Sequence, residues 1–253
     1  MACLTVNFRS YALNHDTQIT VILPENGPAD DIPTLYLLHG MHGNNTSWVR
    51  KSNIERFAQE HKLAVVMPEG ENSFYADMKY GKNYFTYVAD ELVAFTRRMF
   101  RLSDKREKTF IAGLSMGGYG ALKIALRRPE VFAGAASLSG CLDIATHVQT
   151  CRWEHEAVAI WGEDYKNVVP GSDSDLFHLI RNFPEDKPHP KLFVTCGRQD
   201  YLYGESTAFK ELMATDAGKG FEFHYDEGDG VHNWEFWDHW IKPAATWLFS
   251  FDS

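Results

Sequence analysis

Hydrophobic positions in this chain gather into short unbroken runs, separated by longer stretches with a helical period. Leu35-Tyr36-Leu37-Leu38, Leu63 to Met67, Thr109-Phe110-Ile111-Ala112, Gly134 to Ser139 and Lys191 to Cys196 are the runs. Continuous rather than alternating apolar character predicts strands covered on both faces, the condition of a central parallel strand. The ends of the chain read differently. Leu4 to Tyr11 alternates, Asn14-His15-Asp16 carries turn chemistry, and Gln18 to Leu23 is rich in β-branched residues, which together predict a hairpin. Phe221-Glu222-Phe223-His224-Tyr225 alternates as an edge strand would.

Between these strands the spacing turns helical. Ile54, Phe57 and Ala58 mark a helix over about 52–61, and Val88, Leu92 and Phe95 or Met99 form a stripe over about 84–100. Further helices are predicted over 118–127, stopped by Pro129, over 205–217, and over the aromatic-rich stretch 233–249. Gly70 to Asn83 reads as a long loop over one end of the sheet. Strands alternating with helices predict an α/β fold around an eight-stranded, mostly parallel sheet. Cys141 to about Pro190 has no comparable strand, only helical stretches near 154–161 and 176–182. Some 50 residues without a clear apolar core cannot readily stand alone, so 141–190 is expected to be a small cap-like insertion within one domain spanning 1–253.

Composition narrows the partners. With 25 Lys and Arg against 34 Asp and Glu, the net charge is -9, which argues against a nucleic-acid partner. No apolar run approaches the roughly 20 residues needed to span a bilayer, so no membrane partner is expected. The four cysteines, Cys3, Cys141, Cys151 and Cys196, have neither paired metal-ligand spacing nor disulfide-scaffold density. The first residues alternate like a strand and lack a basic segment followed by an apolar one. A reduced, cytoplasmic chain is the expectation. No bound metal and no cofactor are expected. Homo-oligomerisation is left open.

The chemistry centres on Gly113-Leu114-Ser115-Met116-Gly117, set between a predicted strand and a predicted helix. This G-x-S-x-G pattern reads as a nucleophile elbow, whose tight turn leaves no room for a Cβ at either glycine. Asp200, in Cys196-Gly197-Arg198-Gln199-Asp200, and His232, in Gly228-Asp229-Gly230-Val231-His232, follow later strands. They supply the order Ser, Asp, His of a catalytic triad, with Asp226 and Asp229 as competing acids. The backbone amides of Met41 and Met116 are the candidate oxyanion donors. His39 and His42 read as structural or pocket residues, and Cys141 as a buried or pocket thiol.

The stretches His39-Gly40-Met41-His42-Gly43-Asn44, Phe110 to Gly120, Gly197-Arg198-Gln199-Asp200 and His232 to Asp238 resemble the Putative esterase (esterase D-like) family, most of all bacterial tributyrin esterases. The resemblance covers essentially the whole chain. It implies an α/β-hydrolase fold, a triad on Ser115, Asp200 and His232, and an oxyanion hole at Met41 and Met116. It further implies a serine carboxylesterase acting on a small-molecule ester, expected to be a short acyl ester from acetyl to butyryl.

Alternatives within the family are an S-formylglutathione-type thioesterase and an acetyl or feruloyl esterase on small carbohydrate esters. A non-catalytic binding protein on the same scaffold is the reading from a different class. Asn44, Trp48, Tyr119, Trp161, Tyr201 and Trp234 are the candidate substrate-binding residues, with Phe74 and Tyr75 as further aromatics for such a pocket. Phe236 and Trp237 are expected to secure the final helix. The acidic residues Asp173, Asp175, Asp226, Glu227 and Asp229 read as a helix cap and solvated loops, with a structural calcium site as the alternative.

Overall fold

Leu35 and Leu37 of strand β3 (Thr34–Leu38) join one apolar cluster, while Tyr36 and Leu38 join another on the opposite face of the sheet. That division is why the run is unbroken: both faces of a central parallel strand are covered. The computed structural model describes residues 1–150 and 153–250; Cys151 lies outside them. Among the described residues, β1 (Ala2–Ser10), β2 (His15–Leu23), β3, β4 (Ala64–Pro68), β5 (Thr109–Leu114), β6 (Gly134–Leu138), β7 (Lys191–Gly197) and β8 (Phe223–Gly228) form one eight-stranded sheet. Its order is β1-β2-β4-β3-β5-β6-β7-β8, antiparallel at β1–β2 and β2–β4 and parallel at the other junctions. This is the α/β-hydrolase topology, with both predicted hairpin strands at one edge and β8 at the other.

The helices are α1 (Ser47–Lys51), α2 (Ile54–Glu60), α3 (Tyr84–Thr86), α4 (Leu92–Phe100) and α5 (Met116–Arg127), then α6 (Ile144–His147), α7 (Glu154–Trp161), α8 (Tyr165–Val168), α9 (Leu176–Arg181), α10 (Tyr203–Met213) and α11 (Trp234–Phe249). Ile54, Phe57, Ile241 and Leu248 bring α2 and α11 onto one face of the sheet, and Leu92, Leu122 and Phe209 bring α4, α5 and α10 onto the other.

Two predicted helices differ in detail. The one expected over 52–61 is α2, preceded by the short, unexpected α1; between them Ser52 turns extended (φ -143, ψ 173) and its hydroxyl donates to the Trp48 carbonyl at 2.6 Å. Asp238 of α11 then accepts from the Asn53 backbone N–H and side-chain amide, both at 2.7 Å, at the start of α2. The one expected over 84–100 contains a π turn, Tyr87–Glu91. The Glu91 carboxylate accepts from the Ser10 hydroxyl and the Tyr11 and Ala12 N–H groups, which anchors the β1–β2 turn.

The insertion carries α6 and α8 in addition to the two expected helices; four residues each, they are too short to show a period. Its buried Ile144, Ala157, Ile160, Tyr165 and Leu176 belong to the same cluster as Tyr36 and Leu122.

Candidate active site

Ser115 sits between β5 and α5 with φ 53 and ψ -121, a conformation that costs a residue with a side chain on the order of 1–3 kcal/mol. Its surroundings enforce that turn. A Cβ on Gly113 would lie 2.4 Å from the Gly117 carbonyl, and one on Gly117 would lie 2.6 Å from the Leu38 and His39 carbonyl oxygens. Glycine is therefore required at both positions for backbone to pass backbone, and the start of α5 rests directly on the end of β3.

The loops after β7 and β8 are joined by their own backbones. Arg198 N–H donates to the Gly228 carbonyl at 2.9 Å, Gln199 N–H donates to the Gly230 carbonyl at 3.1 Å, and Gly230 N–H returns to the Gln199 side chain at 2.7 Å. A Cβ on Gly197 would stand 2.3 Å from the Gly230 oxygen, so the approach depends on glycine there. This zipper brings Asp200 and His232 together. His232 Nδ1 lies 2.9 and 3.1 Å from the two Asp200 carboxylate oxygens, and His232 Nε2 lies 3.0 Å from Ser115 Oγ.

The Asp200 carboxylate is fully buried. Burial alone would raise its pKa, but the hydrogen bonds from His232 and the Leu202 N–H hold it below the ordinary carboxylate value. It is an anion facing Nδ1, which fixes Nδ1–H as donor and turns the Nε2 lone pair toward Ser115. The competing acids are elsewhere: Asp229 is exposed and pairs with Arg198 at 3.2 Å, and Asp226 stands beside His224.

The loop after β3 is held from beneath. Trp48 Nε1 donates to the Leu38 carbonyl and the Tyr75 hydroxyl to the His39 carbonyl, each at 2.9 Å. The buried His39 ring donates from Nδ1 to the Gly40 carbonyl at 2.7 Å and accepts the Gly70 N–H on Nε2 at 2.9 Å, both within reach of one neutral imidazole. His39 is a structural residue of this loop. Met41 lines the cavity beside Ser115. Met116 buries its side chain, so what it can offer is its N–H, one of the first in α5 and without a partner inside the helix.

Ser115 and His232 open onto a cavity of about 1190 Å³. Of the candidate pocket residues, Phe74, Tyr201 and Trp234 line it, and Tyr75 does not. Tyr201 is exposed and lays its ring 4.6 Å from that of His232. Asn44, Trp48, Tyr119 and Trp161 do not line it. Trp48 is spent on the Leu38 carbonyl. Tyr119, in α5, donates to the Ser174 carbonyl at 2.7 Å and so pins the insertion to α5, while Trp161 donates to the Ser174 hydroxyl at 3.0 Å within the insertion. The Asn44 side chain accepts from Thr46 N–H and Oγ1 at the entry to α1.

The lining also holds residues with other expected roles or none. Trp237, expected only to secure α11, packs edge-on against His232 at 4.9 Å. Its signal was available: an aromatic in the first turn of a helix that begins two residues after a catalytic-type histidine faces back toward it. Trp153, His147 and Lys51 join the lining without any such signal. Among the acidic groups weighed for a cation, Asp175 caps α9 by accepting from His178 N–H, Asp173 pairs with Arg127, and Glu227 with Arg198.

A hydroxyl hydrogen-bonded to an imidazole, itself oriented by a buried carboxylate, can attack an acyl carbon at neutral pH. The Putative esterase family model matches residues 10–248. An acetyl esterase from Caldicellulosiruptor saccharolyticus is 36% identical to this chain, covering 98% of each. Among solved structures, the fluorophosphonate-binding serine hydrolase FphF of Staphylococcus aureus superposes with a TM-score of 0.89 at 36% identity. The structure named S-formylglutathione hydrolase FrmB, from the same organism, superposes with a TM-score of 0.87, also at 36% identity. Each covers 98% of both chains. With similarity at this level over nearly its whole length, the chain belongs to the Putative esterase family and is a serine esterase on the α/β-hydrolase fold.

Proposed function

We propose that the protein hydrolyses short-chain acyl esters, acetyl to butyryl, through an acyl-enzyme on Ser115, as tributyrin-type esterases would. The observation that carries this reading is the His232 imidazole bridging Ser115 Oγ at 3.0 Å and the Asp200 carboxylate at 2.9 Å. In the first half-reaction Ser115 Oγ adds to the ester carbonyl as its proton passes to His232 Nε2. The N–H groups of Met41 and Met116 receive the oxyanion, and His232 returns the proton to the departing alcohol. Water then repeats the sequence, with His232 as base, to release the acid and restore Ser115.

The acetyl group is supported by the similarity to an acetyl esterase over 98% of both chains. A cavity of about 1190 Å³ is far larger than an acetyl group, so it has room for the alcohol half of the substrate as well. Any limit on acyl length then comes from the walls next to Ser115, not from total volume. The similarity to FrmB motivates a second reading, a glutathione thioesterase. Against it, the lining sets Lys51 against Glu156 and Glu235, a poor surface for a ligand with two carboxylates.

The test is kcat/KM over p-nitrophenyl esters from acetyl to decanoyl, beside acetylated sugars, methyl ferulate and S-formylglutathione. Each methylene that fits contributes up to about 0.8 kcal/mol, so efficiency should peak by butyryl and fall beyond it. A peak at decanoyl contradicts the short-acyl reading, and dominance of the thioester moves the assignment to the second.

A further inference from the structure

Cys141 follows β6 by three residues, His147 ends α6, and Glu205 lies in the first turn of α10. The fold brings their donor atoms together, all within 4.8 Å of one another. We propose that Cys141, His147 and Glu205 form a binding site for a thiophilic divalent cation of the Zn²⁺ type in the wall of the catalytic cavity, and that filling it inhibits the esterase.

Thiolate, imidazole and carboxylate are a donor set that suits zinc, with bond lengths of about 2.0 to 2.3 Å. Donors on a tetrahedral ion at those lengths stand roughly 3.3 to 3.8 Å apart, so a shift of about 1 Å closes this trio around a metal. Two of the groups are already fixed. His147 Nδ1 lies 2.9 Å from Glu205 Oε1, and Glu205 Oε2 accepts the Asp143 N–H at 3.1 Å. The His147 ring is stacked on Trp153 at 5.7 Å. The Asp143 N–H and the Trp153 ring are outer supports of the kind that orient metal ligands, while the His147–Glu205 contact itself opens to admit the ion.

Cys141 and His147 both line the cavity that holds Ser115 and His232, which gives a metal ion a way in and leaves a fourth position for water. Binding would displace the Cys141 thiol proton to solvent and put a hydrated cation where an ester must lie. No step of ester hydrolysis calls for the ion. Its effect is on access.

The site is tested on chelator-treated protein, first by direct binding, which needs no turnover. Competition with a chromophoric chelator should give one tight Zn²⁺ per chain. Affinity should fall roughly tenfold or more in Glu205→Gln and be lost in Cys141→Ser. Co²⁺ in the wild type should develop a thiolate charge-transfer band, a readout that stands even if Cys141→Ser fails to fold. Zn²⁺ should inhibit ester hydrolysis by the wild type at the concentration that fills the site, and inhibit Glu205→Gln only at correspondingly higher concentration. Zn²⁺ affinity unchanged by both substitutions, or a Co²⁺ complex without the thiolate band, would overturn the proposal and point to His232 as the metal ligand. Tight binding by a protein that hydrolyses no ester would leave the site standing and count against the proposed function alone.

Discussion

The Tyr75 hydroxyl donates to the His39 carbonyl at 2.9 Å while its ring fills the space in front of Gly120, where a Cβ would lie 2.4 Å from Tyr75 Cδ2. One fully buried side chain thus joins the first turns of α5 to the loop that carries Met41. Gly120→Ala must push the ring away, so it should cost about 1–3 kcal/mol of stability and lower kcat as well. Urea unfolding and steady-state kinetics on the same preparation check both. Lost stability with unchanged kcat would separate the ring from the loop.

Tyr75→Phe keeps the ring and removes only the donor. It leaves the buried His39 oxygen short of a partner, at a cost of about 1–3 kcal/mol. We expect kcat to fall with KM little changed, because the loop that presents Met41 N–H loses a support. A purely structural role would lower the unfolding midpoint and leave kcat alone.

Gly197 tests how the acid and base are brought together. A Cβ there would meet the Gly230 carbonyl oxygen at 2.3 Å, and neither backbone can yield without parting the loops that carry Asp200 and His232. Gly197→Ala should therefore reduce kcat by about a hundredfold or more, since a misplaced group of about 1 Å costs that much. Folding is followed by circular dichroism. Full activity in a folded Gly197→Ala protein would show that the zipper does not set the geometry.

These tests also mark where sequence is informative. Ser115, Asp200 and His232 were legible because each follows a strand whose apolar run identifies it, and parallel strands deliver their following loops to one end of the sheet. Trp48, Tyr119 and Trp161 were not, because an aromatic gives the same signal whether its polar edge meets a substrate or a carbonyl such as Leu38 O. Helix α6, with His147 at its end, has four residues and no period, so the nearness of Cys141 to Glu205 could be seen only in the fold.

Lys123 supplies a prediction about pH. It is buried in α5, donates to the Phe74 carbonyl at 2.8 Å, and burial lowers its pKa to about 7 from an ordinary 10.5. Between pH 7 and 9 the unfolded chain holds the proton that the folded chain has shed, so stability should rise with pH. The slope is at most about 1.4 kcal/mol per pH unit. Higher up, burial pushes the Cys196 thiol to about 12 and the balance reverses. Urea midpoints at pH 7, 8 and 9 should climb in the wild type and flatten in Lys123→Met. Parallel slopes in the two proteins would mean that Lys123 does not titrate in this range.

The proposed chemistry stands or falls with Ser115 as the nucleophile, activated by His232 across 3.0 Å. The most direct measurement combines a serine-directed fluorophosphonate, peptide mapping by mass spectrometry, and turnover of p-nitrophenyl acetate by wild type and Ser115→Ala. One adduct per chain is expected, located on Ser115, together with a loss of roughly a thousandfold or more of kcat in a folded Ser115→Ala protein. An adduct on another residue, or near-normal turnover by Ser115→Ala, would contradict it.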